Sequence, residues 1–215
     1  MKQFAVIGLG RFGASVATTL ARMGFEVLAI DRDEDRVNHI MDEVTHAVQA
    51  DALDDNVLKS LGIRNFDVVI VAIGEDIQAS ILVTVMLKDL GVVNVVAKAR
   101  TELHGRVLKK VGADKVVFPE RDMGVRLARG LVSKNILDQI ELSPDFSILE
   151  LVAPPVFAGK TLIESGIRRK YGVTILAIRR GNDVILSPGA QQKIEEGDVL
   201  VAVGRNDRLK ALEGV

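Results

Sequence analysis

A glycine-rich segment near the start of the chain has the residue types and spacing of a phosphate-binding loop. Gly8, Gly10 and Gly13 form a GxGxxG pattern between an apolar, strand-like run and a helical pattern. In such a loop the first glycine permits a tight turn and the second lets the backbone approach a pyrophosphate. The third lets the helix pack on the sheet, and the helix N-terminus then faces the phosphates. The pattern predicts a nucleotide site that includes Phe12; a glycine-rich turn without a ligand is the alternative.

An aspartate ends the second predicted strand. Asp31 follows Gly13 by eighteen residues, where a carboxylate accepts hydrogen bonds from both ribose hydroxyls and repels a 2′-phosphate. The adenosine half of the ligand is therefore predicted to be that of NAD or of ATP and ADP, and not that of NADP. Arg32 and Asp33, next along the chain, are included in this predicted site. An aspartate that merely faces solvent at the end of a strand is the alternative.

Arg11 lies inside the glycine pattern. A guanidinium at this place can bind phosphate oxygens through two parallel hydrogen bonds. Ordinary dehydrogenases need no arginine here, so Arg11 indicates a ligand with more phosphate charge than a dinucleotide has. An arginine that faces solvent is the alternative.

Two further loops are predicted to reach the same place, because the carboxyl ends of parallel strands meet at one edge of a sheet. One loop follows the third predicted strand and the other follows the fourth. Adenine would lie between them, although either loop could be a mere connection. The residues predicted to contact it are Asp51, Ala52, Ile73, Gly74 and Glu75.

The elements that must position these residues alternate along the first two-thirds of the chain. Six strand-like runs connected by helical patterns predict βαβ units and a doubly wound parallel sheet, the Rossmann-like α/β class. A long helix is predicted over residues 122–140. A turn cluster at 142–145 then precedes a smaller α+β part. Two domains are therefore predicted, 1–140 and 141–215.

Composition narrows the class of protein. Hydrophobic residues make up 48% and aromatic residues 4%, which indicates an aliphatic core of the kind found in parallel sheets. The net charge of −1 argues against nucleic acid as the main partner. The absence of cysteine excludes disulfides, thiolate nucleophiles and iron–sulfur clusters. The longest apolar run, 68–73, is too short to span a bilayer, so a cytoplasmic protein is predicted.

Residues that could transform a second molecule are sparse. His104 opens a predicted helix near the nucleotide, where it could contact a phosphate or ribose or donate a proton. No His, Cys or Asp spacing indicates a metal site, and no substrate domain of adequate size follows. The sequence therefore predicts a nucleotide-binding protein that is not an enzyme. An NAD-dependent oxidoreductase and a redox-sensing DNA regulator are the alternatives.

Four stretches of the sequence resemble the RCK (regulator of potassium conductance) domains of Ktr and Trk potassium uptake systems. Residues 4–13, 72–80 and 112–120 resemble the N-terminal lobe of such domains, and residues 170–178 resemble the C-terminal lobe. The resemblance implies a cytosolic, Ktr-type regulatory subunit that forms a homo-oligomer, typically an octameric ring. It implies that the ring docks on the inner face of the cell membrane through a KtrB- or TrkH-like potassium-translocating subunit. ATP and ADP, with NAD(H) as a further candidate, would compete for the nucleotide site.

The resemblance also implies roles for individual residues. Asp31 would hold the ribose, Arg11 would reach the terminal phosphate, and Glu120 would help to bind a divalent or monovalent cation. The alternative for Glu120 is a carboxylate that stabilises a helix N-terminus after Pro119. The other residues implied to line the site are Lys98, Ala99, Arg100 and His104. A cyclic di-AMP site in the C-terminal lobe is implied at Ile163, Ile167, Arg168 and Tyr171, where Arg168 has the alternative of belonging to a solvated basic cluster.

Overall fold

The computed structural model describes residues 2–132 and 136–213. The chain divides into two compact units, Met1–Arg121 and Asp122–Val215, and each is described by itself. Within the described residues, no helix combines the length and the apolar character that crossing a membrane would require.

The first unit is built on six parallel strands in the order β3-β2-β1-β4-β5-β6. This arrangement confirms the predicted Rossmann-like class. The order reverses between β1 and β4, which is where ligands bind in open α/β sheets. The elements are β1 (Gln3–Ile7), α1 (Arg11–Arg22), β2 (Glu26–Asp31), α2 (Glu34–Ile40), β3 (His46–Gln49), α3 (Asp55–Ser60), β4 (Val68–Val71), α4 (Ile77–Asp89), β5 (Val95–Lys98), α5 (Glu102–Lys110) and β6 (Lys115–Val117).

Helices cover both faces of this sheet, and aliphatic side chains fill the two layers between. One apolar cluster joins α1 and α2 to the face that presents Val6, Ala29 and Ile70. The other joins α3, α4 and α5 to the face that presents Ile7 and Val71. Successive strand residues point to opposite faces, so strands covered on both sides are continuously apolar, as the sequence indicated.

The second unit carries an antiparallel sheet of five strands in the order β10-β9-β11-β8-β7. Its core is formed by residues such as Leu149, Ile178 and Leu200, which are almost completely buried. The elements are α6 (Pro119–Val132), which begins just before the unit boundary, β7 (Ile136–Ser143), β8 (Phe146–Val152), α7 (Leu162–Ser165), α8 (Ile167–Tyr171), β9 (Thr174–Arg180), β10 (Asp183–Leu186), β11 (Val199–Arg205) and α9 (Asn206–Glu213). A smaller α+β lobe is thus confirmed.

The long helix predicted over 122–140 is wrong in its second part. The described part of α6 ends at Val132, and Ile136 starts a strand. The turn at 144–145 joins β7 to β8 as a hairpin, with Ser143 opposite Phe146, so pairing with β8 overrides local helical preference. The domain boundary predicted after residue 140 falls inside β7, whereas the compact units meet at Arg121. Where the chain divides into independently folding domains stays a prediction.

Candidate nucleotide site

Two glycines of the loop at residues 8–13, called the glycine loop below, are required by the fold itself. Gly8 has φ of +95°, a conformation that favours glycine, and a Cβ there would lie 3.0 Å from Ile73 N. A Cβ on Gly13 would lie 1.8 Å from the carbonyl oxygen of Gly8. The glycines therefore let β1 turn sharply into α1 and let the helix lie directly against the turn.

Gly10 differs from both, because nothing in the described part of the chain requires a glycine there. Its φ of −63° suits any residue. Apart from its two chain neighbours, no atom of the described residues lies within 4 Å of the position that a Cβ would take. Gly10 is the residue that precedes α1 and has no side chain to cap it. The first N–H groups of α1 are therefore approachable from the open side, which is the geometry that binds phosphate oxygens.

Asp31 is buried, with 7% of its surface exposed, and its carboxylate holds the glycine loop. Oδ2 accepts a hydrogen bond from Leu9 N at 2.6 Å, and Oδ1 accepts one from Asp33 N at 3.0 Å. Arg36 Nη1 lies 3.6 Å from Oδ2. A carboxylate offers about four lone-pair positions, so these contacts leave acceptor capacity for ribose hydroxyls.

The two residues after Asp31 behave differently from each other. Arg32 has an exposed side chain. Asp33 caps α2, since its Oδ1 accepts hydrogen bonds from Asp35 N at 3.0 Å and Arg36 N at 3.4 Å. The carboxylate of Asp33 is thus engaged by the helix, although its sequence position next to Asp31 predicted a ligand contact.

The loops after β3 and β4 lie beside β2 and β1. Ala50 N donates to the carbonyl of Asp31 at 2.9 Å, and Ala72 N donates to the carbonyl of Ile7 at 2.7 Å. These bonds bring the two loops to the edge that carries Asp31 and the glycine loop. We call this edge, with the loops after β1 to β5, the nucleotide crevice. Asp51 and Glu75 are exposed in it, Ala52 is buried, and Ile73 and Gly74 are half-buried.

Lys98, the last residue of β5, connects two parts of the crevice to the start of α6. Its Nζ donates to Glu120 Oε1 at 2.6 Å and lies 5.7 Å from the centroid of the Phe12 ring. It also lies 3.1 Å from where a Cβ on Gly74 would be. Only 11% of the Lys98 side chain is exposed, so the ammonium is held as a fixed positive charge.

Glu120 is predominantly exposed, and its carboxylate is surrounded by cationic groups. The hydrogen bond from Lys98 lowers the pKa of Glu120 below its ordinary value, and the charge of Arg11 contributes in the same direction. The side chain of Arg11 is exposed, and its guanidinium makes no hydrogen bond or ion pair with the described residues. Two cations therefore stand near one carboxylate, an excess of positive charge that suits phosphate.

The described residues do not provide a set of ligands for the cation predicted at Glu120. Over residues 2–132 and 136–213, no group of three or more His, Cys, Asp or Glu side chains is arranged to hold a metal ion. Glu120 alone supplies one carboxylate, so a cation there would take its other ligands from elsewhere. The cation stays a prediction.

The start of α5 holds the backbone that follows Lys98. Ala99 is buried and its N–H donates to Val117 O at 2.9 Å. Arg100 has an exposed side chain, but its N–H donates to His104 Nδ1 at 3.4 Å. His104 is 3% exposed, and burial, followed by the charge of Arg100, lowers its pKa. The imidazole is therefore neutral and offers little surface for a direct ligand contact.

The four residues implied for a cyclic di-AMP site lie on α7 and α8. Ile163 is 62% exposed and Arg168 is also exposed, whereas Ile167 belongs to the core at 1% exposure. Tyr171 is half-buried and packs edge-on against Phe157, with ring centroids 6.3 Å apart. The described structure thus presents two of the four side chains openly, and cyclic di-AMP binding stays a prediction.

Comparison with known proteins identifies relatives over nearly the whole chain. The TrkA-N domain model matches residues 4–119 and the TrkA-C domain model matches residues 146–214. Ktr system potassium uptake protein C of Bacillus subtilis (strain 168) is 53% identical over 203 residues, which cover 94% of this chain and 92% of that protein. Protein A of the same system and strain is 50% identical over 212 residues, covering 99% and 96%.

Comparison with solved structures supports the fold. The GsuK channel superposes with a TM-score of 0.72 at 23% identity, and the match covers 99% of this chain but 39% of that chain. The present chain thus spans well under half of the channel polypeptide. Identity at this level shows a shared fold and no more.

Proposed function

We propose a function for this chain from its family and from its nucleotide crevice. The chain belongs to the family of TrkA-N and TrkA-C domain proteins that includes the Ktr system potassium uptake proteins. It is a regulatory subunit of potassium uptake that binds ATP or ADP in the nucleotide crevice. It acts on the cytoplasmic side, as a ring that docks on a membrane-embedded, KtrB- or TrkH-like potassium-translocating subunit, and it catalyses no reaction of its own.

The proposal of nucleotide binding rests chiefly on the glycine at position 10. Gly8 and Gly13 are explained by the backbone turn and by helix packing, but neither the φ angle nor the surroundings of Gly10 explain a glycine. A ligand that approaches the backbone closely does explain it. Asp31 at the end of β2 supplies the acceptor for ribose, and Lys98 and Arg11 supply charge for phosphates.

Regulation requires that two ligands favour different arrangements of the protein, because a ligand with equal affinity for both shifts nothing. ATP and ADP differ by one phosphate. We assign the exposed Arg11 and the ion pair of Lys98 with Glu120 to the terminal phosphate and its cation, because the charges of Arg11 and Lys98 both act on Glu120. ATP would draw Arg11 inward and change the surroundings of Glu120, whereas ADP would leave both as they are.

The experiment that tests nucleotide binding compares two glycines with similar surroundings. Neither Gly10 nor Gly189 has a positive φ, and among the residues that the structure describes a Cβ at either site would meet no atom within 4 Å beyond its chain neighbours. Gly10→Ala should weaken ATP and ADP binding at least about tenfold, which corresponds to ~1.4 kcal/mol. Gly189→Ala should leave both affinities unchanged. Titration calorimetry gives the affinities, and thermal unfolding should show at most a small loss for Gly10→Ala, because alanine is a weaker N-cap than glycine.

Two results would contradict the proposal. One is unchanged ATP and ADP affinity in Gly10→Ala; the other is a wild-type chain that binds NADH more tightly than either and oxidises it. The regulatory step is tested by reconstituting the chain with a KtrB-like subunit in vesicles. The potassium flux should then differ between ATP and ADP, and it should lose that difference with Gly10→Ala.

A further inference from the structure

Helices α4 and α5 lie side by side on one face of the sheet, and their register can be derived from a contact at their C-terminal ends. Both belong to right-handed connections between parallel strands, so they run in the same direction. A Cβ on Gly112, just after α5, would lie 2.9 Å from Lys88 Cγ on α4. Positions four residues apart share one helix face. Gly112 lies two residues beyond the end of α5, so it and Lys88 serve as the starting points. Steps of four residues back from each then give the opposed pairs Thr84 and Leu108, and Ser80 and His104.

The last of these pairs contains two buried polar atoms that lack a partner. In the described part of the chain, Ser80 Oγ and His104 Nε2 are the buried side-chain atoms that make no hydrogen bond. Ser80 is 0% exposed and His104 is 3% exposed. Buried polar atoms in native proteins nearly always bond to protein or to an ordered water. Two such atoms at opposed positions are therefore expected to share one partner.

The contact on the other side of the imidazole fixes which nitrogen carries the proton. Nδ1 accepts from the N–H of Arg100, so in a neutral ring the proton is on Nε2. Nε2 is then a donor that needs an acceptor, while the hydroxyl of Ser80 can both donate and accept. A single water between them can accept from His104 and bond to Ser80.

We propose that one buried water joins His104 Nε2 to Ser80 Oγ, and that His104, thus held, positions the backbone of Arg100 and with it Lys98. His104 is in this view a positioning residue that touches no ligand. The water site rests on the register of α4 and α5, on the two unpaired atoms and on the tautomer of His104, and not on the proposed function. The effect on Lys98 rests on the proposed function, because Lys98 matters there as a charge for phosphate.

Two substitutions of His104 separate its two nitrogens. In His104→Asn the side-chain oxygen occupies roughly the place of Nδ1 and keeps an acceptor for Arg100 N. In His104→Gln the amide reaches the place of Nε2 but loses that acceptor. ATP affinity should fall less than about twofold for Asn and about three- to tenfold for Gln, as expected for one net hydrogen bond. The same pair at His39, an exposed residue of α2, is the control and should have no effect. Equal loss for Asn and Gln at His104 would overturn the positioning role.

The water site itself has a readout independent of nucleotide. Solid-state ¹⁵N spectra of histidine-labelled protein should show His104 as the Nε2–H tautomer, identified as the signal that His104→Asn removes. Ser80→Ala should move its Nε2 resonance and leave those of the other histidines unchanged. An Nδ1–H tautomer, or no response to Ser80→Ala, would overturn the proposal. A wild-type chain that binds no adenine nucleotide but shows the expected spectra would instead refute the proposed function and leave the water site standing.

Discussion

At the scale of the residue, Asp31 combines a structural contact with a predicted ligand contact. Its carboxylate holds the N–H groups of Leu9 and Asp33, so the residue that would bind ribose also fixes the loop that would bind phosphate. A loss of affinity in an Asp31 variant can therefore arise from a displaced loop as well as from a lost ribose contact. An experiment on Asp31 needs a readout that only the ribose contact changes.

Deoxyribose provides that readout. Asp31→Asn should weaken ATP binding at least about tenfold, because a hydrogen bond to a charged group is worth about 1.5–3 kcal/mol. The wild-type chain should also prefer ATP to 2′-deoxy-ATP, and Asp31→Asn should lose that preference. Titration calorimetry with both nucleotides measures it, with Asp183→Asn, at an exposed position of β10, as the control. A preference that survives in Asp31→Asn would remove Asp31 from the ribose site.

Arg11 should discriminate ATP from ADP. Its side chain is exposed and forms no ion pair among the described residues, although its charge acts on Glu120. Arg11→Ala should reduce ATP affinity by about tenfold or more and ADP affinity by less than about threefold, since a bidentate arginine bond to a terminal phosphate is lost only with ATP. Arg22→Ala, at the far end of the same helix and 73% exposed, is the control. Equal losses for both nucleotides would assign Arg11 to the phosphates that ATP and ADP share.

Residues whose role depends on their own type were predictable, and residues whose role depends on a neighbour were not. The glycine spacing predicted the turn at Gly8 and the close packing at Gly13, both of which the structure shows. The bond from Leu9 to Asp31 uses a backbone N–H, which no residue type encodes. The placement of His104 opposite Ser80 depends on how two helices pack, and the sequence pattern carries no signal for that register.

At the scale of the element, long-range pairing accounts for the error in the sequence prediction. Residues 122–140 carry apolar positions that suit a helix, but those from Ile136 pair with β8 along an antiparallel ladder. Strand pairing depends on a partner elsewhere in the chain, so local preference is a weaker guide to strands than to helices. The parallel sheet was predictable because its inner strands, such as β4, are nearly continuously apolar, whereas β7 is a partly exposed edge strand.

The second unit has an ion pair between the half-buried Arg180 and the buried Asp198, and the loss of this pair should be measurable. Asp198 is 1% exposed, and its carboxylate accepts two hydrogen bonds from Arg180 at 2.9 Å and one from Glu195 N at 2.8 Å. These bonds attach the turn before β11 to β9. Asp198→Asn should lower the free energy of unfolding by about 2–3 kcal/mol, as measured by urea denaturation. Asp183→Asn, at an exposed residue of β10, is the matched control and should show no measurable change.

The same pair predicts how stability changes with pH. The hydrogen bonds from Arg180 lower the pKa of Asp198 below its ordinary value of 3.8. The folded state therefore favours the ionised form, so the pair stabilises fully above pH 3.8, and the stabilisation is lost as pH falls through the lower, folded-state pKa. Unfolding of wild-type and Asp198→Asn proteins, compared between about pH 5 and pH 2, should show the difference shrinking. A constant difference over this range would mean that the pair is not what titrates.

At the scale of the whole molecule, the surface of α6 indicates assembly. Met123, Leu127 and Leu131 are 60%, 61% and 77% exposed and recur every four residues, so they form a stripe along one helix face. Large exposed apolar patches on proteins mark interaction surfaces. We expect a second copy of the chain to cover it, as part of the ring in the proposed function.

Light scattering after size exclusion should give an oligomer for the wild-type chain and a smaller species for Leu127→Glu, because a charge cannot be buried in an apolar interface without a partner. Met41→Glu changes an exposed methionine outside this stripe and should leave the assembly intact. Small-angle scattering of the wild-type oligomer should also differ between ATP and ADP, since regulation requires two arrangements with unequal affinity for the two nucleotides. A wild-type monomer, or an oligomer that Leu127→Glu leaves unchanged, would contradict assembly through α6. Identical scattering profiles with ATP and ADP would leave the ring intact but remove the shape change by which it would act on a membrane partner.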